Sequence, residues 1–334
     1  MKIDVICPLY NAEKYIEKLD NSLKKQQKVE INQIRYVLTK SKDKTETILK
    51  RINANYRQIE KKDFSHSLVR EKEALESNAD IITFITQDVI IEDELWLYNL
   101  VKDIEEGKCE ASYSRQICNN NSIEKYTREL NYPDKSSFVT KGDINKLQLK
   151  TFFFSDASSA IKRDIFVKLN GYDGKNLPIS EDMYIAYKII TNGYTIKYCA
   201  DSCVIHSHNF TLKQIYDRYY LTGKFFKGNS YLNQYKVNNS GFNMAKYVFK
   251  RALQDRNIKV LIQFIPNMSA RFIGMKMGKI REESVWNEIW NGGSFKYYIL
   301  NNRNVNWNDF LLLLKQLYNV CYFDYWSYIF GYFI

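Results

Sequence analysis

Five consecutive residues, Ile81-Ile82-Thr83-Phe84-Ile85, set the tightest limit on what this chain can fold into. Successive side chains of a strand point to opposite faces, so a run apolar at every position needs cover on both. Such a run belongs at the centre of a parallel sheet walled by helices. The flanking sequence supplies those walls. Ile3 to Cys7 is a short β-rich run ended by Pro8, after which Tyr15, Ile16, Leu19 and Leu23 fall on one helical face. Ile34 to Leu38 is again β-like. Asp43-Lys44-Thr45-Glu46 resembles a capping box, and Ile48, Leu49 and Ile52 continue that helix's apolar stripe. Ser65 or Ser67 can cap a third helix carrying Val69 and Leu75, and Leu97, Leu100, Val101 and Ile104 mark a fourth.

Repeated β–α units predict an α/β fold with a Rossmann-like, mostly parallel central sheet and flanking helices. Ligands of such sheets bind beyond the carboxyl ends of the strands. That rule gathers Pro8 to Asn11, Leu38 to Asp43 and Thr86 to Asp88 around one cleft. Beyond residue 110 the pattern loosens. Lys108 to Gln116 reads as a strand, 117–150 as polar loop, and Phe152 to Lys162 as another strand. Glu181 to Asn192 is helical with Gly193 as its stop, and Tyr194 to Ile205 is extended. The boundaries that follow are a domain over 1–210, split near 115, a basic helical segment over 211–281, and an aromatic-rich, mostly helical extension over 282–334.

With 334 residues, 45% hydrophobic and 26% charged, the chain can bury a large core and is not a disordered protein. The six cysteines are scattered without a CxxC pair, as expected of reduced thiols in a cytosol. The first strand is too short and too polar for a signal peptide, and no window approaches ~18 uninterrupted apolar residues. These features predict a cytoplasmic protein without a membrane span. The net charge of +11 is concentrated: 211–281 holds nine Lys and five Arg against Asp217 and Asp255, leaving the rest near −1. Such a segment attracts anionic headgroups or diphosphates, or is a solvated face. The aromatic tail either packs, on its own domain or a second copy, or lies at a membrane interface. Nucleic acid is not an expected partner, because no reading helix or aromatic ribonucleoprotein motif is present.

Four groups carry possible chemistry. Asp88 follows the buried run and can project a carboxylate into the cleft, although Asp also starts turns. His206 and His208 stand two apart at the end of a strand, hence on one side of it. A zinc set with Cys199 and Cys203 fits no standard spacing. Glu181-Asp182 opens a helix, where carboxylates are favoured by the dipole or serve as a general base.

The ordered series Cys7-Pro8-Leu9-Tyr10-Asn11, Phe64 to Arg70, Phe84 to Asp88, Tyr113-Ser114-Arg115-Gln116, Asn131-Tyr132-Pro133, Ser158 to Arg163, Glu181-Asp182-Met183 and Val204 to His208 resembles the family-2 inverting glycosyltransferases of the GT-A fold, in their bacterial rhamnosyltransferase group. The resemblance runs from residue 1 to about 225 and weakens beyond. It implies that Asp88 ends a metal-binding DxD-like motif, with Gln87 in place of the neighbouring acid, and that His206 is a later metal ligand. It implies Asp182 as catalytic base. Pro8, Tyr10, Asn11, Asp43, Arg70 and Gln87 would meet the nucleotide sugar, and Glu181, Arg115 and His208 the acceptor. Leu38 stands where many members have a base-contacting Asp.

The implied activity is metal-dependent transfer, with Mn²⁺ or Mg²⁺, of rhamnose from dTDP-rhamnose to a glycan on a polyprenyl diphosphate. The products would be cell-wall or capsular polysaccharide made at the inner membrane face. A UDP-sugar donor and a non-catalytic binding partner of the same fold are the alternatives. A nucleotidyltransferase would need a Gly-rich basic loop, which Asn11 to Lys18 does not supply.

Overall fold

A computed structural model describes residues 1–236 and 240–280; the aromatic extension expected over 282–334 lies outside the described residues. The chain opens with β1 (Lys2–Leu9), α1 (Ile16–Lys24), β2 (Glu30–Thr39), α2 (Thr45–Arg51), β3 (Tyr56–Ile59), α3 (His66–Glu76) and β4 (Ile81–Ile85). It continues through α4 (Trp96–Glu105), β5 (Ala111–Ile117), α5 (Ile123–Asn131), β6 (Ser137–Val139), α6 (Ile144–Leu147) and β7 (Ser158–Lys162). The described part ends with α7 (Arg163–Lys168), α8 (Glu181–Thr191), β8 (Ile196–Ile205), α9 (Leu212–Gly228), α10 (Ser240–Gln254) and α11 (Ile258–Ile280).

The strands form one sheet in the order β3-β2-β1-β4-β7-β5-β8-β6. As the doubly apolar run requires, all five residues of β4 are buried, each large side chain contributing about 1.5–3 kcal/mol. β1, β2, β3 and β4 are parallel, as are β5 and β8; β7 runs antiparallel between β4 and β5, and β6 antiparallel on the edge. One apolar layer joins Ile3, Val5 and Leu9 to Leu19, Leu23, Leu97 and Leu100. The other joins Ile6 and Phe84 to Phe166, Ile185 and Ile189. β1 is flanked by β2 on one side and β4 on the other, so a crevice opens between them beyond their carboxyl ends.

Several expectations change. Pro8 does not end the first strand, which runs to Leu9; β4 pairs β1 only up to Ile6, so the missing N–H is tolerated there. Tyr15 and Leu75, expected in the core, are exposed at helix margins. Ser65, not Ser67, caps α3 through the Leu68 N–H, at 3.4 Å. The strand expected from Phe152 begins only at Ser158. The region read as loop, 117–150, contains α5, buried against partners distant in sequence, and β6, a largely exposed edge strand. Gly193, with φ +86°, ends α8 as expected.

Residues Met1–Lys279 form one compact unit, so α9, α10 and most of α11 belong with the sheet. α9 and α11 meet at a glycine seam, where a Cβ on Gly278 would lie 2.0 Å from the Tyr220 carbonyl oxygen and 2.9 Å from Gly223 Cα. Backbone cannot yield as a flexible side chain can. Gly278→Ala is therefore expected to destabilise the fold by about 3 kcal/mol in urea unfolding. The control Gly228→Ala, with open space at its Cβ, should stay within ~1 kcal/mol.

Candidate active site

Asp88 and His206 are 118 positions apart, yet a single β-bridge brings them together. Ile90 N–H donates to Ile205 O at 2.8 Å and Ile205 N–H to Ile90 O at 2.9 Å, tying the segment after β4 to the end of β8. His206 Nε2 then lies 3.5 Å from Asp88 Oδ1, and His208 Nδ1 lies 3.4 Å from Asp88 Oδ2. His208, which the resemblance sets beside the acceptor, turns its ring to Asp88, edge-on to His206, with centroids 4.4 Å apart. Phe210 stacks on the far side of His208, and the Arg218 guanidinium covers Phe210.

Protonation decides what this trio can hold. Burial lowers the His206 pKa, with Arg128 adding to the effect against the pull of Asp88. Burial, then the neighbouring His206, lowers that of His208. Burial opposes ionisation of Asp88, but the two imidazoles keep its carboxyl well below the usual range. At neutral pH one carboxylate and two neutral imidazoles thus converge, with ligand atoms within 4.8 Å of one another. Two nitrogens and a carboxylate oxygen suit Mn²⁺ or another divalent ion, so the residues present fit such a group.

A second group surrounds Asp182. Ser180 precedes it in the left-handed region at φ +62°, a strained conformation for a residue with a side chain. Asp182 opens α8, where its Oδ1 accepts the Met183 N–H at 2.8 Å. Burial raises its pKa well above the usual carboxylate range, reinforced by Glu181 and Asp156 and only partly offset by Met183 N–H and Arg70. The Arg70 cation is committed elsewhere: its Nη1 donates to Glu181 Oε1 at 2.7 Å, and both side chains are buried. Arg70 and Glu181, read as nucleotide and acceptor contacts, thus form a buried ion pair with each other. Asp156, which the sequence reading missed, receives Tyr172 OH at 2.7 Å and Ser159 OH at 2.8 Å.

The two groups are connected. His206 Nδ1 meets Gln116 Oε1 at 2.8 Å, and Gln116 Nε2 donates to Ser155 Oγ at 2.7 Å. The Tyr132 hydroxyl in turn feels the charges of Arg128, Asp182 and Glu124.

The remaining candidates divide. Tyr10 and Asn11 stand exposed in the β1–α1 loop, Asn11 with φ +50°, and Lys61 lies 5.5 Å from the centre of the Tyr10 ring. Pro8 is buried within β1. Gln87 clasps Tyr10 twice, accepting its N–H at 2.8 Å and donating to its carbonyl at 2.9 Å. Asp43 is spent on its own loop, accepting Ser41 OH at 2.6 Å, Thr45 OH at 2.7 Å and Glu13 N–H at 3.1 Å. Burial opposes these bonds, yet they keep its pKa lowered. The expected capping box is not formed, since Glu46 turns to Lys50 and Tyr56. Leu38 is buried in the core. Arg115 lies where β5 shifts register, opposite Cys203, and its charge is felt by Tyr198 and Cys203. Alternation puts it on the face away from Gln116.

A cavity of about 520 Å³ lies elsewhere, beside the first half of β2. Its Asp20 is already paired with Tyr36 and Lys24.

The sequence profile of Glycosyl transferase family 2 matches residues 4–169. The O-antigen chain rhamnosyltransferase RfbN of Salmonella typhimurium is 31% identical over 285 residues, covering 84% of this chain and 90% of its own. WbaN of Salmonella anatum, also described as an O-antigen chain rhamnosyltransferase, is 29% identical over 253 residues, covering 74% and 80%. In fold, the crystal structure of S. aureus TarS 1-349 superposes with a TM-score of 0.51 at 16% identity, over 88% of this chain and 93% of that one. Its complex with UDP-GlcNAc gives 0.50 at 15% identity, over 83% and 91%. With this extent of similarity, the chain belongs to glycosyl transferase family 2, as a rhamnosyltransferase-like, sugar-transferring enzyme.

Proposed function

We propose that the protein is a metal-dependent, inverting transferase that moves rhamnose from dTDP-rhamnose to a lipid-linked glycan in polysaccharide synthesis. The convergence of Asp88, His206 and His208 carries this reading. The names of RfbN and WbaN support the sugar. A divalent cation bound by these three would neutralise the charge that builds on the departing diphosphate. Asp182 takes the proton from the acceptor hydroxyl as its oxygen attacks the anomeric carbon. The bond from that carbon to the diphosphate breaks on the opposite face, and the configuration inverts. The raised pKa of Asp182 makes its carboxylate a stronger base toward a hydroxyl proton than an ordinary one. Turnover of dTDP-rhamnose and of UDP-sugars, with Mn²⁺ and with EDTA, tests the proposal. Metal-dependent release of dTDP is the expected result. Release of UDP alone would favour the UDP-sugar reading, and no release from any donor the non-catalytic one.

In this reading Gln87 organises the donor pocket by holding the Tyr10 backbone, and does not bind metal. Gln87→Glu keeps the acceptor, loses the donor and sets a carboxylate against the Tyr10 carbonyl. Nucleotide affinity should fall about tenfold in calorimetry, with cation affinity unchanged. Unaltered nucleotide binding would remove this role.

Membrane contact through 211–334 is proposed at α11. Ile258, Ile262 and Ile265 form an exposed stripe at helical spacing, 49–71% exposed, with Arg256 and Lys259 beside it. Among the described residues no helix is long and apolar enough to cross a membrane. An interfacial helix of this kind binds anionic vesicles through both terms. Ile258→Glu with Ile262→Glu is expected to reduce co-sedimentation with such vesicles at least tenfold. Undiminished binding would exclude this surface.

A further inference from the structure

We propose that Gln116 is a positioning residue for the cation site, holding His206 in the one neutral tautomer that offers Nε2 as a ligand; the inference rests on the reading of Asp88, His206 and His208 as that site. Gln116 belongs to the Tyr113–Gln116 stretch singled out in the sequence, but its role was not legible there. It is buried on β5 at 2% exposure. Its backbone neighbour Ile117 accepts the His206 N–H at 2.9 Å, so strand and histidine are already in register.

The amide orientation follows from chemistry. Arg128 Nη1 and His206 Nδ1 both approach the same atom of the Gln116 amide, Oε1. A guanidinium has donors only, so the atom it faces is the oxygen. The other end, Nε2, donates to Ser155 Oγ at 2.7 Å. An amide oxygen accepts and cannot donate, which means His206 Nδ1 carries the hydrogen. The lone pair then sits on Nε2, the atom 3.5 Å from Asp88 Oδ1. The opposite tautomer would aim an N–H at Asp88, making a histidine–aspartate hydrogen bond and leaving His206 no lone pair to offer an ion. Gln116 decides between these states.

α5 ties the second histidine to the same support. Arg128 lies 3.7 Å from Glu124, and Glu124 Oε2 accepts the His208 N–H at 3.2 Å. One helix thereby sets the orientation of Gln116 and the backbone position of His208.

The chain has three histidines, so ¹⁵N NMR of the imidazoles in the metal-free, full-length protein near pH 8 can read each tautomer. His206 is expected as the Nδ1–H form. In Gln116→Leu the tautomer should shift toward Nε2–H, and Mn²⁺ affinity without donor or acceptor should fall roughly 10–100-fold. Gln116→Glu, which still accepts from Nδ1 and from Arg128, should keep the wild-type tautomer and Mn²⁺ affinity within about threefold. Wild-type His206 in the Nε2–H form would overturn the inference, whether or not any variant folds. A folded Gln116→Leu with tautomer and Mn²⁺ affinity unchanged would do the same. Wild-type protein that binds no Mn²⁺ while showing Nδ1–H would sink the cation-site reading and leave only the tautomer assignment standing.

Discussion

Asp182→Asn is expected to lower kcat roughly a thousandfold, within the range general bases contribute, while donor and Mn²⁺ binding stay within a few-fold. Asparagine keeps the shape and can still accept the Met183 N–H, but cannot take a proton. The pH profile separates this from misfolding. Burial and the charges of Glu181 and Asp156 raise the pKa of Asp182, and a base works only when ionised. The wild-type rate should therefore climb with pH, with an inflection above the usual carboxylate value of about 4. Asp182→Asn should lose that inflection. Glu181→Gln removes a negative neighbour and frees Arg70, so the inflection should move to lower pH. Stability moves the other way. A carboxyl whose folded pKa lies above its unfolded one weakens the fold as pH rises through that window, and the deficit persists above it. At neutral pH Asp182→Asn should thus be at least as stable as wild type. An inactive variant that is also less stable would argue for a structural role.

Asp88→Asn is the second large effect. The substitution removes the only charge among the three converging side chains and leaves two neutral imidazoles. Loss of an indirect support costs roughly 10–100-fold in metal affinity, so loss of the anionic ligand should cost about 100-fold or more. Mn²⁺ titration should show that loss directly, and transfer should fall in parallel and recover partly at high Mn²⁺. Transfer that falls with Mn²⁺ affinity unchanged would remove Asp88 from the cation site.

The parts of this chain that were legible in sequence are those whose burial is local. β4 announced itself by being apolar on both faces, α8 by its stripe and terminal glycine. The cleft followed from topology, since loops after parallel strands share an edge. What escaped depends on distant partners. α5 hides Ile123 and Tyr126 against α10 and α11, and no short window of sequence contains that pairing. The direction of β7 is a property of the sheet, not of its residues. At the site, Asp88 and His206 were visible as an acid after a strand and a histidine at a strand's end. That His208 turns to Asp88 needed the bridge between Ile90 and Ile205. Arg70 and Glu181, assigned to ligands through the resemblance, pair with each other, and Asp43 bonds Ser41, Thr45 and Glu13. Gln116 was given no role, and Gln87 was given one only through the resemblance. A neutral amide carries no signal of its own, and its value lies in two-ended bonding that only the fold reveals.

The central claim is that Asp88, His206 and His208 hold the ion that carries the donor diphosphate. Anomalous diffraction at the manganese edge, from crystals grown with Mn²⁺ and dTDP, addresses it directly. The expected result is one strong peak bonded to Asp88 and both imidazoles and touching the diphosphate. A peak that binds the diphosphate without these three side chains, or a bound diphosphate with no peak, would contradict the account.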